Sequence, residues 1–110
     1  MEKLEGLNPV FKRKVENVIK KMEELGWRIR VVWGKRSQDE NDALVKKKVA
    51  SSKSKHLIGK AVDLIDRRIG YVDDPVHPFY KDLSRTAKEE GLIWGGDFHS
   101  RWDPCHIEIP

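Results

Sequence analysis

The first clear periodicity lies between residues 10 and 25. Val10, Phe11, Val15, Val18, Ile19, Met22 and Leu25 recur every three to four positions, and Lys12, Arg13, Lys14, Glu16, Lys20, Lys21 and Glu23 fill the opposite face. This spacing predicts an amphipathic helix. Asn8-Pro9 supplies an N-cap and a proline at the first helical position, and Gly26 a C-terminal stop. Residues 27–33 (WRIRVVW) alternate and then become wholly apolar, which predicts a strand. Ser37 to Glu40 has the form of a capping box, so a short helix is expected over residues 38–46. Residues 46–55, rich in Lys and Ser, read as an exposed loop. A second strand is expected over 61–66, a turn or hairpin region over 67–74, and a helix over 78–90 with Phe79, Leu83 and Ala87 inward and Gly91 as its stop. Residues 92–94 restart a strand, Gly95-Gly96 breaks it, and residues 106–109 form a final alternating strand. The expected fold class is α+β: a small antiparallel sheet with about three helices packed on it.

Composition bounds this picture. A chain of 110 residues is expected to form one domain, residues 1–110, with no internal repeat and no second, separate binding domain. At that size it buries roughly 65% of its unfolded surface, enough for one modest core. Four Trp and three Phe argue against disorder. Net charge is +4, from 22 Lys and Arg against 18 Asp and Glu, interspersed along the chain. The excess favours an anionic partner without choosing between nucleic acid, membrane surface and an anionic wall polymer, and it also fits an ordinary solvated surface. A single cysteine, Cys105, rules out an intrachain disulfide, so nothing requires an oxidising compartment. Residues 1–6 contain no apolar leader, and no run is long enough to span a membrane. Synthesis in the cytoplasm, no membrane insertion and a monomeric state are the expectations.

The chemistry concentrates in two segments, Ser54 to Asp63 and Asp103 to His106. His56 and Asp63 stand seven apart across a glycine, and His106 opens the last predicted strand. Two imidazoles and a carboxylate can hold zinc and leave a fourth position open, the arrangement that separates catalytic from structural zinc. Zinc brings the pKa of a bound water toward about 7. Spacing by itself is weak support, because His and Asp at this separation are common on ordinary surfaces. Asp103 adds a second carboxylate three residues before His106, suited to taking a water proton and passing it to a leaving amine; alone, Asp103-Pro104 also reads as a plain turn. Arg36 can neutralise an oxyanion, bind a substrate carboxylate, or stand as a solvated loop residue. Trp94 either lines a groove or fills the core. His77 and His99 are expected to be non-ligands, and Cys105 a buried thiol on the strand face opposite His106.

These blocks resemble a known family. Ser54-x-His56-x-x-Gly59-x-Ala61-x-Asp63, then Gly91-Leu92-x-Trp94-Gly95-Gly96-Asp97-Phe98, then Asp103-x-x-His106-x-Glu108 is similar to the D-alanyl-D-alanine carboxypeptidase and L-alanyl-D-glutamate endopeptidase family of zinc peptidases, phage endolysins included. Arg36-Ser37-x-x-Glu40 resembles the family segment ahead of the first histidine. The resemblance implies a compact zinc peptidase domain in which His56, Asp63 and His106 bind Zn2+ and Asp103 is the catalytic base and then acid. It implies that Arg36 stabilises the oxyanion or orients substrate and that Ser54 supports the site. The implied partner is the peptidoglycan stem peptide, reached after release from the cytoplasm. L-alanyl-D-glutamate is the bond expected first, with D-alanyl-D-alanine carboxypeptidase or dipeptidase action as the rival. A non-catalytic wall-binding module is a third reading, and nucleic-acid binding ranks last because no base-reading motif is visible. The linker over residues 46–51 (KKKVAS) departs from the Gly-Arg-Thr type of segment in family endolysins, which bears on substrate preference more than on the metal.

Overall fold

In the computed structural model, residues 6–33, 59–98 and 102–110 are described. The helix expected over 38–46 and the lysine-rich loop fall outside them, as do Arg36, Ser54, His56 and His99. The first helix, α1, runs Pro9–Glu24, and the Asn8 side chain accepts hydrogen bonds from the amides of Val10 (3.0 Å) and Phe11 (3.2 Å). That satisfies two of the donors every helix N-terminus leaves open. Gly26, at φ 100°, reverses the chain after the helix, a conformation that costs a residue with a Cβ. Phe11, Val15, Val18, Ile19 and Met22 are buried as the pattern predicts. Val10 and Leu25 are not: they are 61% and 49% exposed. One residue turns a helical side chain by about 100°, which carries Val10 off the face that Phe11 occupies, and Leu25 lies beyond the last helical turn.

The sheet comprises β1 (Ile29–Trp33), β2 (Ala61–Asp66), β3 (Ile93–Trp94) and β4 (His106–Glu108), in spatial order β1-β2-β4-β3 with every pairing antiparallel. The second helix, α2, spans Pro78–Glu89, and a 3-10 turn covers Gly95–Asp97. The described residues thus hold two α-helices where about three were expected; the third, expected over 38–46, lies outside them. The last strand ends at Glu108, one residue short of the expectation.

Alternation along the strands divides the sheet into two faces. Val62, Leu64 and Ile107 are fully buried and join Phe11, Val15, Val18 and Met22 of α1 and Phe79, Leu83 and Ala87 of α2 in one core cluster. Tyr80 and Thr86 are also buried on α2, two positions that the apolar pattern alone did not mark. The Tyr80 hydroxyl donates to the Val72 carbonyl and accepts from the Val72 amide, which makes a polar side chain acceptable in the core. The two helices are joined across their exposed edges by Glu90, which accepts from Asn17 (2.9 Å) and Lys21 (3.0 Å). With one face sealed by helices, Asp63 of β2 and His106 and Glu108 of β4 are left on the other. No described helix is long and apolar enough to cross a membrane.

Candidate metal centre

Strand register brings the first two site residues together. In the β2–β4 ladder Asp63 is the direct partner of His106, and directly paired residues hold their Cβ atoms about 5 Å apart. The β1–β2 ladder is irregular between Val31 and Trp33, so that Trp33, rather than Val32, pairs with Asp63. A bulge of this kind bends a strand locally and is common beside functional sites.

A turn supplies the third residue. The His106 amide donates to the Asp103 carbonyl (3.2 Å), closing a four-residue turn with Pro104 at its second position, where a fixed φ suits the chain. The turn leans on the preceding segment. The Asp103 amide donates to Gly95 O (3.1 Å), and the Trp94 indole donates to Pro104 O (2.7 Å). Gly95 has no room for a side chain: a Cβ there would stand 2.2 Å from Asp103 O and 2.8 Å from the His106 Cβ. Trp94 is half-buried, packed against the core, and braces the site loop from below.

Three side chains converge as a result. His106 Nδ1 lies 3.2 Å from Asp63 Oδ1 and 3.6 Å from Asp103 Oδ2, while Nε2 lies 2.7 Å from Glu108 Oε1. Side-chain exposure is 9% for His106, 17% for Asp63 and 42% for Asp103, so the two carboxylates at Nδ1 are unequally open to solvent. Burial by itself would lower the His106 pKa. Its hydrogen bonds to Asp63 and Glu108, with the charges of Asp63 and Asp103, outweigh that and push it up to about 9. The site attracts positive charge at Nδ1.

The donor set fits zinc. One ligand atom each from Asp63, Asp103 and His106 lies within 4.8 Å of the others, a spacing that an ion about 2 Å from each donor can close with small side-chain rotations. The imidazole also has a carboxylate on its other nitrogen, as metal-bound histidines commonly do. Of the expected ligands, Asp63 and His106 meet here with the expected base Asp103. His56 lies outside the described residues, together with Arg36 and Ser54. His77 caps α2 instead, its Nδ1 accepting from the Phe79 amide (3.1 Å). Cys105 is buried, and burial pushes its thiol pKa up to about 12, so it is an inert core group at neutral pH. Glu108 carried no role in the sequence reading. The signal was there in the alternation of β4, which places residues 106 and 108 on one face.

The family model described as D-alanyl-D-alanine carboxypeptidase matches residues 48–109, more than half of the chain. The fold is similar to that of the Serratia marcescens L-Ala D-Glu endopeptidase ChiX, with a TM-score of 0.74 and 26% identity over 99% of this chain and 84% of that one. It is also similar to the vancomycin resistance D,D-dipeptidase VanXYg in complex with a D-Ala-D-Ala phosphinate analogue (TM-score 0.70, 20% identity), covering 94% of this chain and 50% of that one. A third likeness is to a D,D-pentapeptidase VanY variant from a VanB-type resistance cassette in complex with Zn(II) (TM-score 0.67, 18% identity), covering 94% of this chain and 72% of that one. At these lower identities the last two speak for the fold alone.

Proposed function

Because this chain belongs to the D-alanyl-D-alanine carboxypeptidase family of zinc peptidases, we propose that it hydrolyses an amide bond in the peptidoglycan stem peptide, the L-alanyl-D-glutamate bond first, as a wall-degrading enzyme of the endolysin kind. The observation that carries the reading is the meeting of two carboxylates of unequal exposure at Nδ1 of one buried imidazole. Asp63 is held on a strand and largely covered, which suits a ligand. Asp103 sits on a turn and opens to solvent, which suits a group that must meet both water and substrate. Similarity to an L-Ala D-Glu endopeptidase over nearly the whole chain favours that bond over D-alanyl-D-alanine.

Zinc, when bound, polarises the scissile carbonyl and acidifies the attacking water. Asp63 and His106 hold the metal, with His56 as the third ligand. Asp103 takes a proton from the water through its exposed carboxylate as the water oxygen bonds to the carbonyl carbon. It then returns that proton to the amide nitrogen as the C–N bond breaks, which leaves a carboxylic acid and an amine. Arg36 offsets the oxyanion charge, and Ser54 supports the site.

Mass spectrometry of purified peptidoglycan incubated with the zinc-loaded protein tests the bond. New peptide N-termini at D-glutamate are expected. Loss of terminal D-alanine alone would move the assignment to a carboxypeptidase, and no new termini with zinc bound would leave a non-catalytic module. Asp103→Ala should keep zinc and lose about 10²–10⁴-fold in turnover, the usual worth of a positioned proton-transfer group. Undiminished turnover in that variant would remove Asp103 from the mechanism.

A further inference from the structure

We propose that Glu108 is the positioning residue of the metal centre: its carboxylate accepts a hydrogen bond from the Nε2–H of His106 and so turns the Nδ1 lone pair toward the metal. The inference rests on zinc binding at His106 and goes beyond the ligand set. Glu108 follows His106 by two positions on β4, on the same face of the sheet. Its Oε1 stands 2.7 Å from Nε2, and its side chain is 13% exposed. A charged acceptor at that distance, largely removed from water, makes a strong hydrogen bond.

A bound cation and Glu108 together fix the tautomer of the ring. A neutral imidazole has one N–H and one lone pair. Carboxylates stand at both nitrogens, so the metal-free ring can carry both protons; with a cation in place of the proton between Nδ1 and the carboxylates of Asp63 and Asp103, the remaining N–H is at Nε2 and donates to Glu108. The opposite tautomer would set an N–H against the metal and a lone pair against Glu108. Glu108 is itself held from both sides, since β4 is an inner strand and its Cα partners are Ala61 on β2 and Ile93 on β3. The Phe98 ring, 5.5 Å from the imidazole and tilted by 56°, packs against its flank. Glu108 and Phe98 together hold the ring in place. A carboxylate behind a ligating histidine also makes the ligand more basic, and its loss commonly costs 10–100-fold in metal affinity.

The test is zinc affinity measured by chelator competition on the full chain, with the metal alone as probe. Glu108→Ala should bind zinc about 10–100-fold more weakly than the parent. Glu108→Gln should recover part of that loss, because an amide oxygen still accepts the Nε2 proton but carries no charge. Thermal unfolding of the metal-free proteins shows whether the variants keep the fold. Where they do not, ¹⁵N spectra of His106 in the zinc-loaded parent give the answer directly: Nε2 protonated and Nδ1 metal-bound is expected. Parental affinity in folded Glu108→Ala, or a metal-bound Nε2, would overturn the assignment. Neither measurement involves peptidoglycan, so failure of the peptidase reading would leave these differences intact.

Discussion

Two aspartates three residues apart on β2 face opposite sides of the sheet, and their surroundings give them different chemistry. Asp63 looks toward His106. Asp66 lies on the helix side, 1% exposed, and accepts from the amides of Arg28 (2.9 Å) and Arg68 (2.8 Å) and from the Arg68 guanidinium, whose Nη2 lies 2.8 Å away. The Arg68 hydrogen bond is the main reason its carboxyl is held well below the usual range; burial opposes the shift and the two backbone amides add to it. Asp66→Ala strands two backbone donors and should cost about 3 kcal/mol, given about 1–3 kcal/mol for each buried unsatisfied group. Urea midpoints would show it, and a loss under about 1 kcal/mol would mean that water replaces the carboxylate. The pH sign follows from the lowered folded pKa. The stabilisation is complete above the ordinary carboxyl value of 3.8 and is lost as pH falls from there toward the folded value. Stability measured from pH 7 to pH 2 should therefore drop less steeply in Asp66→Asn than in the parent. Equal slopes would remove Asp66 from the acid response.

At the scale of elements, the site depends on a turn clamped by Gly95 and Trp94. Gly95 accepts the Asp103 amide and leaves the gap into which that residue's carbonyl fits. Gly95→Ala forces the turn outward and should destabilise the protein by about 1–3 kcal/mol, the usual range for an overpacked position. The same displacement moves Asp103 and His106, so turnover should fall more than stability alone explains. Measured kcat/KM together with zinc content checks this, and parental values for both would show that the turn keeps its place without the clamp. The elements themselves were legible where their signals are local. The Asn8-Pro9 start, the α1 stripe and the bounds of β2 follow from spacing and capping. The two-residue β3 and the 3-10 turn after it are too short to have a period, and Trp94, left between groove and core by the sequence, is resolved by its hydrogen bond to Pro104.

For the whole molecule, Asp63 and His106 lie 43 positions apart in the chain, so a bound ion fastens distant segments of the folded state. An ion that binds only the native arrangement stabilises it by mass action, about 2.7 kcal/mol at a free concentration one hundred times Kd. A rise in Tm on the order of 10 °C is expected on zinc addition, reversed by a chelator and absent in Asp63→Ala. A melting temperature indifferent to zinc would argue that the ion is not held by these strands.

The sequence by itself determined the α+β class, the main elements and the identity of the chemical groups, because helix and strand periods, caps and short motifs are local properties of the chain. It placed Asp63, Asp103 and His106 in one site through motif resemblance, and periodicity could not do so, since a period states which face a residue takes and not which strand lies beside it. Tertiary structure alone decided that β2 and β4 are neighbours, that their register sets Asp63 opposite His106, and that Glu108 reaches the second nitrogen of the ring. It also decided that Asp66, outwardly the same residue as Asp63, is a structural acceptor in the core. Pairing and register come from burying one face of the sheet against two helices, a cooperative outcome of the whole chain.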